Sequence, residues 1–478
     1  MNCMKYYSFL LVLVVGMAGC KVGQNYQGVE MSVPDQFYYE DTAHTVSPVA
    51  INADSLDLDV MFNLNWFSLF DDPMLDSLVR RALDYNQDVK IAAENVLQAQ
   101  YAVTIQKANM LPFLGAGAGV QRRNFGVSQV NDADQLETTN LFYIAGTLNW
   151  ELDFWGKFRR LNEAARAQLV ASEQGFRSAQ ISLISTVANL YFQKLEFQTR
   201  IDISEQTLAL RDSMMQIIQE RFDKGIIPEI DLNQAQIQRA IAAGSIPLLK
   251  RSLAVTENQI SVLTGTYPQD IRPGKLLLDQ DTSISIPTGL PSELLVRRPD
   301  IIGAEYQLIA QNAVVGATQA NRLPTISLSG TLGLASTQLS SLLSGQVIND
   351  LSGSLVAPLI NWNQLKRAVD VEQSRRTQTE LDYERTVLNA FREVEDALVS
   401  ISTLKTELIA RDQHVVAALR AQELSQERYD QGVTSYLEYL ESQRQAFEAQ
   451  QNFAGTKQQL LSSYAQLYKA LGGGWVIE

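Results

Sequence analysis

Residues that carry acid–base or metal chemistry are scarce in this chain of 478 residues. The two histidines, His44 and His414, stand far apart, so the sequence offers neither a histidine-based metal cluster nor a histidine acid–base pair. The run from Gly115 to Gly119 has the glycines of a nucleotide-binding loop but lacks its Lys-Ser/Thr ending. The sequence therefore predicts no catalytic residue, no metal site and no nucleotide cofactor.

Carboxylates occupy more informative positions. Asp231 lies six residues after Gly225, and Glu438 lies six residues after Gly432. On a helix, Glu438 and Glu441 are three positions apart and share one face. The two glutamates are therefore either a concentration of negative charge that selects cations or an ordinary solvated acidic face.

The N-terminal residues have the pattern of an export signal. Lys5 precedes a short apolar run at 9–15, which is too short to cross a bilayer as a helix, and small residues then lead to Cys20. The sequence predicts a signal peptide at 1–19 that resembles a lipobox, with a covalent lipid on Cys20. The alternative is an ordinary signal peptide followed by a chance cysteine. Lys21 favours delivery to the outer membrane.

The charge balance is acidic, with 39 Lys and Arg against 53 Asp and Glu, and this excludes an electrostatic footprint for nucleic acid. The chain also repeats itself in the same order at offsets of 207 to 212 positions. The pairs of similar segments are 94–112 and 305–324, 155–160 and 362–367, and 220–236 and 427–443. We predict a tandem duplication with repeat 1 at 74–265, a connector at 266–291, repeat 2 at 292–472 and a short C-terminal end at 473–478.

The sequence pattern of each repeat predicts the same order of elements: a helix, two strands, a very long helix and a second long helix. The very long helices are expected at 156–224 and 363–431, and each spans about 100 Å at 1.5 Å per residue. The helices that follow, at 229–264 and 435–471, carry apolar residues seven positions apart. Sevenfold spacing indicates helices packed side by side in a shallow supercoil.

The predicted strands at 113–121, 141–152, 325–336 and 351–360 alternate apolar and polar residues over about 10 positions, as transmembrane β-strands do. A sheet packed on a soluble core is the alternative. Four strands cannot close a barrel, and open edges in hydrocarbon leave backbone groups unpaired. If the strands lie in a membrane the chain must oligomerise. Two copies provide eight strands, a barrel filled by its own side chains, and three copies provide twelve, enough for a lumen.

Several separated motifs resemble one family. Pro291–Ile301 reads PSELLVRRPDI, Ala304-Glu305 and Leu323–Leu328 follow it, and Cys20–Tyr26 gives the mature start. These segments resemble the TolC-like outer membrane efflux proteins, in particular the NodT-type lipoprotein branch. The resemblance implies a mainly α protein with membrane β-structure: a homotrimer with a shared twelve-stranded barrel, a periplasmic α-helical barrel and an equatorial collar.

In that family the collar is formed by segments that correspond to about 20–73, 266–291 and the C-terminal end. The implied partners are a periplasmic adaptor, an inner-membrane resistance-nodulation-division transporter and outer-membrane lipid. The expected function is a passive exit duct for small molecules. The alternatives are the exit duct of a type I protein secretion system and a structural lipoprotein that does not conduct.

The resemblance also indicates which residues lie at the periplasmic opening of the duct. Helix turns at the periplasmic tip face the adaptor, and the matching positions here are Arg221, Phe222, Gly225, Arg428, Tyr429 and Gly432. For the two arginines, a salt bridge to an acid on a neighbouring helix is an equal alternative.

The expected gate consists of Leu437, Glu438 and Glu441, with Asp231 in support. Converging copies of the glutamates would raise each other's pKa and select cations. Thr434 replaces the arginine that ties the gate in a relative, so Leu437 and Tyr436 are apolar candidates for holding it closed.

Overall fold

The computed structural model describes residues 21–29, 31, 34, 36–39, 70–125, 137–282, 284 and 291–473. The first repeat contains the following elements in chain order: α1 (Pro73–Tyr85), α2 (Gln87–Ala108), β1 (Phe113–Phe125), β2 (Glu137–Leu152), α3 (Lys157–Asp223) and α4 (Glu229–Leu263). The second contains α5 (Leu294–Arg297), α6 (Pro299–Ala320), β3 (Thr325–Ser336), β4 (Gln346–Val356), α7 (Gln364–Asp430) and α8 (Tyr436–Ala470). The same succession of elements occurs twice, as the duplication predicts.

Two compact units divide the chain. The first contains Asn95–Ser172, Gly303–Tyr383 and the described N-terminal residues 21–29; the second contains Glu173–Ile302 and Glu384 onward, together with the described residues between 31 and 94. The segment 20–73, expected as a single N-terminal region, is therefore shared between the units. The predicted signal peptide at 1–19, Cys20 and all of 40–69 lie outside the described residues.

The helix that opens each repeat is interrupted, where the sequence predicted one continuous run in the first repeat. Asn86 separates α1 from α2 because its side-chain oxygen accepts hydrogen bonds from the backbone N–H groups of Asp88 and Val89, at 2.9 and 3.1 Å. In the second repeat Pro299 starts α6, since a proline fits the first turn of a helix but not its interior. Asparagine is compatible with a helix, so the first break was not visible in the sequence.

The two longest helices, α3 and α7, each contain 67 residues. The helices that follow, α4 and α8, each contain 35, and α4 continues through Pro247. No helix among the described residues is both long and apolar enough to cross a membrane.

The four strands form one antiparallel sheet in the order β1-β2-β3-β4, so the hairpins of the two repeats pair through β2 and β3. Residues directly opposite each other share a face, as do alternate residues along one strand. The register Leu114–Leu148, Trp150–Leu328 and Ile326–Leu355 therefore produces one continuous apolar face. Its larger side chains are Leu114, Val120, Phe142, Ile144, Leu148, Trp150, Leu152, Ile326, Leu328, Leu332, Leu334, Val347, Leu351 and Leu355.

The opposite face contains the glycines of β1 and is mostly polar. A Cβ at Gly119 would lie 2.6 Å from the hydroxyl of Tyr143, so the tyrosine ring covers this glycine. Thr147 and Asn149 in β2 and Ser327 in β3 belong to the same face.

The strand bounds differ from those expected. The structure places β4 at Gln346–Val356, so the predicted strand at 351–360 is wrong at both ends. Pairing with β3 extends the strand back to Gln346. The strand stops before Pro358, which has no backbone N–H to donate. β1 and β2 also extend beyond the predicted bounds, to Phe125 and from Glu137.

The main core lies in the second unit, where α1, α3, α7 and α8 pack through Leu75, Tyr191, Phe192, Val394 and Leu461. Asp72 joins this core to the connector: its carboxylate caps α1 and accepts from Tyr191 Oη at 2.8 Å and Gln280 Nε2 at 2.7 Å. A Cβ on Gly274 would lie 2.1 Å from the same carboxylate, so this position requires glycine.

Candidate functional site

The site that the sequence predicts is at the two turns that end α3 and α7. Both turns have the same backbone structure. Gly225 has φ +70° and Gly432 has φ +73°, a conformation that glycine adopts without steric cost. The residue after each glycine donates to the carbonyl five positions earlier: Ile226 to Arg221 and Val433 to Arg428, each at 2.9 Å. These bonds define the Schellman motif and satisfy carbonyls that the helix end would leave unpaired.

The two tip arginines make different contacts. Arg221 Nη1 donates to Tyr429 Oη at 2.9 Å, and its guanidinium carbon lies 5.0 Å from the centre of the tyrosine ring. Arg428 Nη1 instead lies 3.2 Å from Glu438 Oε1 on the next helix. The salt bridge considered from the sequence is therefore present for Arg428, whereas Arg221 joins the two repeats.

Aromatic residues form the core under the turns. Tyr429, Tyr436 and Tyr439 are buried together with Leu440, and Phe222 packs against them. The rings of Tyr429 and Tyr439 are stacked, with centroids 5.9 Å apart. Burial raises the pKa of the Tyr436 hydroxyl above its ordinary value. Tyr436 is 5% exposed, which contradicts its expected part in an apolar constriction.

Glu438 is held by its own chain from two sides. Besides the ion pair with Arg428, its Oε2 accepts a hydrogen bond from the hydroxyl of Thr434. Thr434, which the resemblance matched to an arginine, therefore contacts the acid. Leu437 precedes Glu438 and is 55% exposed, so its side chain is accessible at the tip.

Glu441 has a cation on its own helix. Arg444 donates to both carboxylate oxygens, from Nε at 2.9 Å and from Nη2 at 2.6 Å, and Gln445 Nε2 donates at 2.9 Å. Hydrogen bonds from Arg444, and then from Gln445, lower the pKa of Glu441 to about 2. Within one chain, the pKa of this acid is therefore displaced opposite to the direction expected from converging glutamates.

Asp231 lies in the first turn of α4, where a negative charge is favoured by the helix dipole. Its backbone N–H donates to the carbonyl of Pro228 at 3.1 Å, which closes that turn. Its charge also raises the pKa of Tyr429 and of Tyr436, after the larger effect of burial. The acid is thus part of the same tip but remains half-exposed.

Sequence reasoning missed two residues that tie the start of each repeat to its end. Asn86 Nδ2 donates to the carbonyl of Leu263 at 3.1 Å, and Arg298 Nη1 donates to the carbonyl of Ala470 at 2.8 Å. Leu263 and Ala470 are 207 positions apart, so the contacts are equivalent. In the sequence, Arg298 was visible only as part of a family motif. Asn86 and Arg298 stand at equivalent positions of the two repeats, and this equivalence is the signal that could have identified both residues.

Arg298 is buried and also pairs with two acids. Its Nη2 lies 2.7 Å from Asp300 Oδ2 and 2.8 Å from Glu393 Oε2. Burial lowers its pKa, but the hydrogen bonds and charges of Asp300 and Glu393 together raise it above the ordinary value. The motif RRPD therefore supplies a permanently charged contact between the start and the end of repeat 2. We call the contacts of Asn86 and Arg298 with the ends of their repeats the two clasps.

The described residues next to Cys20 are fixed in the first unit. Arg160 is 1% exposed and donates to the carbonyls of Val22 at 3.0 Å and Gly23 at 2.6 Å. Val22 N–H donates to the carbonyl of Trp155 at 3.1 Å. Among the described residues, no group of three or more His, Cys, Asp or Glu could hold a metal ion.

Comparison with known proteins identifies the class. The family model described as outer membrane efflux protein matches residues 78–266 and 290–473. The chain is 32% identical over 470 residues to the antibiotic efflux pump outer membrane protein ArpC of Pseudomonas putida, which covers 98% of this chain and 95% of that protein. The toluene efflux pump outer membrane protein TtgC of the same species matches with the same identity and coverage.

A solved structure is also similar: the CmeC outer membrane channel of Campylobacter jejuni aligns with a TM-score of 0.84 and 25% identity over 95% of each chain. The chain belongs to the outer membrane efflux protein family. It has the TolC-like fold and is the outer-membrane component of an efflux pump in a Gram-negative bacterium. The sequence-based predictions of fold, function and location are confirmed.

Proposed function

We propose that three copies of this chain form the exit duct of a tripartite pump, with a twelve-stranded barrel and a helical tunnel. In this proposal a periplasmic adaptor binds the turns at Gly225 and Gly432. An inner-membrane resistance-nodulation-division transporter supplies the energy, and the duct conducts passively. The cargo consists of small toxic organic molecules, in line with the antibiotic and toluene pumps to which ArpC and TtgC belong.

The observation that carries this proposal is the sheet. Its apolar face is continuous over all four strands, and among the residues that the structure describes β1 and β4 each pair on one side only. Leu114 and Leu355, on these outer strands, are about 70% exposed. The apolar face is unfavourable in water, and the unpaired edges are unfavourable in lipid. Further copies of the same sheet pair the edges by closure, and the apolar face then fits against lipid.

The helix α4 supports the same assembly. One of its faces packs inside the chain through Leu232, Ala235, Ala242, Leu249 and Ile260. A second face carries apolar residues that stay half-exposed or more: Ile230, Ile237, Ile241, Leu248, Val255 and Val262. A helix that is apolar on both sides is suited to burial, so a neighbouring copy is the expected cover of the second face.

For the gate we propose a ring built from Leu437, Glu438 and Glu441 in three copies. The carboxylates are bound by Arg428 and Arg444, so each copy contributes ion pairs to the ring. Net selectivity for cations then depends on how far these pairs open during conduction. The exposed side chain of Leu437 supports its role as the apolar constriction.

The proposed lipid on Cys20 completes the anchor. Residue 21 follows it directly, and the ion pair of Lys21 with Glu163 fixes the chain there. Replacing Cys20 with Ser is expected to abolish labelling by a radioactive fatty acid. The trimer is expected to form without the lipid, because the sheet and helix contacts remain; continued labelling of the variant would refute the anchor.

Planar-bilayer recording tests the duct directly. We expect ohmic conductance from the purified protein, and a larger conductance with reduced cation selectivity when Glu438 and Glu441 are both changed to Ala. A matched variant removes the same charge from the other tip helix, at Glu220 and Asp223, and is expected to behave as the wild type. Absence of conductance in every variant would contradict the channel, and unchanged selectivity in the first would remove both glutamates from the pore.

A further inference from the structure

Beside the main core of the second unit, three helices leave an open groove of about 520 Å³. This volume is within the range of about 300–1,000 Å³ that is usual for pockets that bind small molecules. The helix α3 contributes Asn189, Leu190 and Gln193 to the lining, and α7 contributes Ser400 and Leu404. The third helix, α8, contributes only amide and hydroxyl side chains.

The lining of this groove is neutral. None of its residues is charged, although 19% of the residues in the chain are Asp, Glu, Lys or Arg. Amides and hydroxyls both donate and accept hydrogen bonds, and the two leucines add an apolar surface. Such a lining is suited to an uncharged molecule that has hydrogen-bonding groups next to an apolar part. A charged molecule would lose water there without gaining an opposite charge.

One amide of the lining lacks a donor. The side-chain oxygen of Asn189 is buried and accepts no hydrogen bond from any described residue. A buried acceptor without a donor is unfavourable, so a ligand that donates to it removes an existing cost. The amide plane of an asparagine turns easily about its last side-chain bond, and this rotation presents either the oxygen or the NH₂ group to the groove.

The groove lies on the side of α8 that faces away from the connector. Lys457 Nζ and Tyr464 Oη donate to carbonyls of the connector, at 2.6 and 2.7 Å. Gln459 and Gln466 line the groove, and each follows one of these residues by two positions, which is about 200° around a helix. The connector therefore covers one side of α8 and leaves the groove open on the other.

The open side is also the charged side of this helix. Gln466 stands 18 positions, or five helical turns, after Glu448, so the two side chains lie on the same face. Glu448 is exposed and pairs with Arg444. In the proposed trimer, a charged face of this kind lines the tunnel. The groove therefore interrupts a charged wall with a neutral stretch.

We propose that this groove is a binding site for cargo inside the duct, and that it takes uncharged organic molecules with amide or hydroxyl groups. The inference rests on the proposed function and specifies a class of cargo. Asn189 accepts a hydrogen bond from the ligand, and the leucines of α3 and α7 pack against its apolar part. Gln459 and Gln466 are exposed and contact the ligand from the tunnel side.

Equilibrium dialysis of the full-length protein in lipid nanodiscs tests the site. Nanodiscs replace detergent because sugar detergents carry hydroxyl groups of the same chemistry as the ligand. The probe is radiolabelled chloramphenicol, an uncharged aromatic amide with hydroxyl groups, and empty nanodiscs measure its partition into lipid. We expect saturable binding above this background, with one molecule per chain. Absence of saturable binding would overturn the proposal.

Two variants and a matched control locate the binding. Asn189→Leu keeps the approximate shape of the side chain and removes the amide, and Gln466→Leu removes an amide at the open side. We expect at least one of them to weaken binding by about fivefold, the usual effect of one hydrogen bond. The control is Asn452→Leu, which removes an exposed amide seven positions before Gln459, outside the groove. Wild-type affinity in both test variants, or an equal loss in the control, would overturn the site.

A charged analogue tests the class of ligand. Chloramphenicol succinate keeps the ring and the amide but carries a carboxylate, and we expect it to compete about tenfold more weakly than chloramphenicol. Equal competition would overturn the preference for uncharged cargo. Planar-bilayer recording of the same protein separates this inference from the proposed function. If the wild-type protein does not conduct, the proposed function fails; conductance without saturable binding overturns this inference alone.

Discussion

The second long helices of the two repeats, α4 and α8, are equal in length and equivalent in position, yet one face of each has the opposite character. Ile237, Ile241 and Val262 on α4 are each more than half exposed. The residues 207 positions later on α8 are Arg444, Glu448 and Lys469. The duplicated fold is thus kept while the same face is made apolar in one repeat and charged in the other.

The comparison indicates that these two faces would have different surroundings in the proposed trimer. A charged face is stable in water and fits the lining of a tunnel, whereas an apolar face of this length needs protein against it. The clasps differ in the same way, since Asn86 and Arg298 bond equivalent carbonyls with a neutral amide and a charged guanidinium. The two repeats therefore keep equivalent backbone positions, whereas the side chains at those positions differ in polarity and charge.

The largest effect is expected from exchanging the character of the two faces. Ile241→Glu puts a charge on the apolar face of α4, where a neighbouring copy would bury it without a partner at a cost of several kcal/mol. We expect the trimer to be lost in detergent, as measured by light scattering. The reverse exchange, Glu448→Ile, is the control and leaves a trimer. A trimeric Ile241→Glu protein would place α4 outside the interface.

Removing the charged clasp is expected to have the next largest effect. Arg298→Ala leaves Asp300 and Glu393 without their shared cation and should destabilise the fold by about 3 kcal/mol. Asn86→Ala removes a helix cap and one hydrogen bond and should cost only about 1 kcal/mol. Thermal unfolding followed by circular dichroism compares the two variants, and equal losses would contradict the different roles of the two clasps.

A smaller effect separates the two tip arginines. Tyr429→Phe removes the hydroxyl that accepts from Arg221 and keeps the ring, so it should cost about 1 kcal/mol. Arg428→Gln breaks only an exposed ion pair and should cost at most about 0.5 kcal/mol. Chemical denaturation of the solubilised protein measures both. A larger loss in Arg428→Gln would show that the exposed pair contributes more than the bond between the repeats.

The smallest effect concerns protonation of Glu441. A depressed pKa means that the ionised form is stabilised, so its bonds to Arg444 persist above the ordinary range of glutamate and are lost as the pH falls through about 2. Arg444→Gln should return the pKa to about 4.3. In a Glu438→Gln background, the pH at which cation selectivity is lost should rise accordingly. An unchanged midpoint would show that Arg444 does not control this carboxyl in the assembled tip.

The sequence was sufficient for features with a long or repeated pattern. Proline-free runs gave both 67-residue helices nearly to the residue, and alternation gave four strands. The turns at Gly225 and Gly432 followed from a glycine after a long uninterrupted helix. These features depend on local chemistry, which a single sequence displays.

Features that depend on distant partners were not predictable in the same way. The start of β4 at Gln346 is set by its neighbour β3, and nothing local distinguishes it from a loop. Asn86 was hidden because asparagine occurs inside helices. The ion pair of Glu441 with Arg444 depends on rotamers, so the sequence showed this acid but not the cation that binds it.

The central claim is that one chain is incomplete and that three chains close the duct. Native mass spectrometry of the protein extracted in mild detergent counts the chains directly. The account predicts a single species with three chains, without monomer at working concentration. A monomer, or an assembly with any other number of chains, would contradict it.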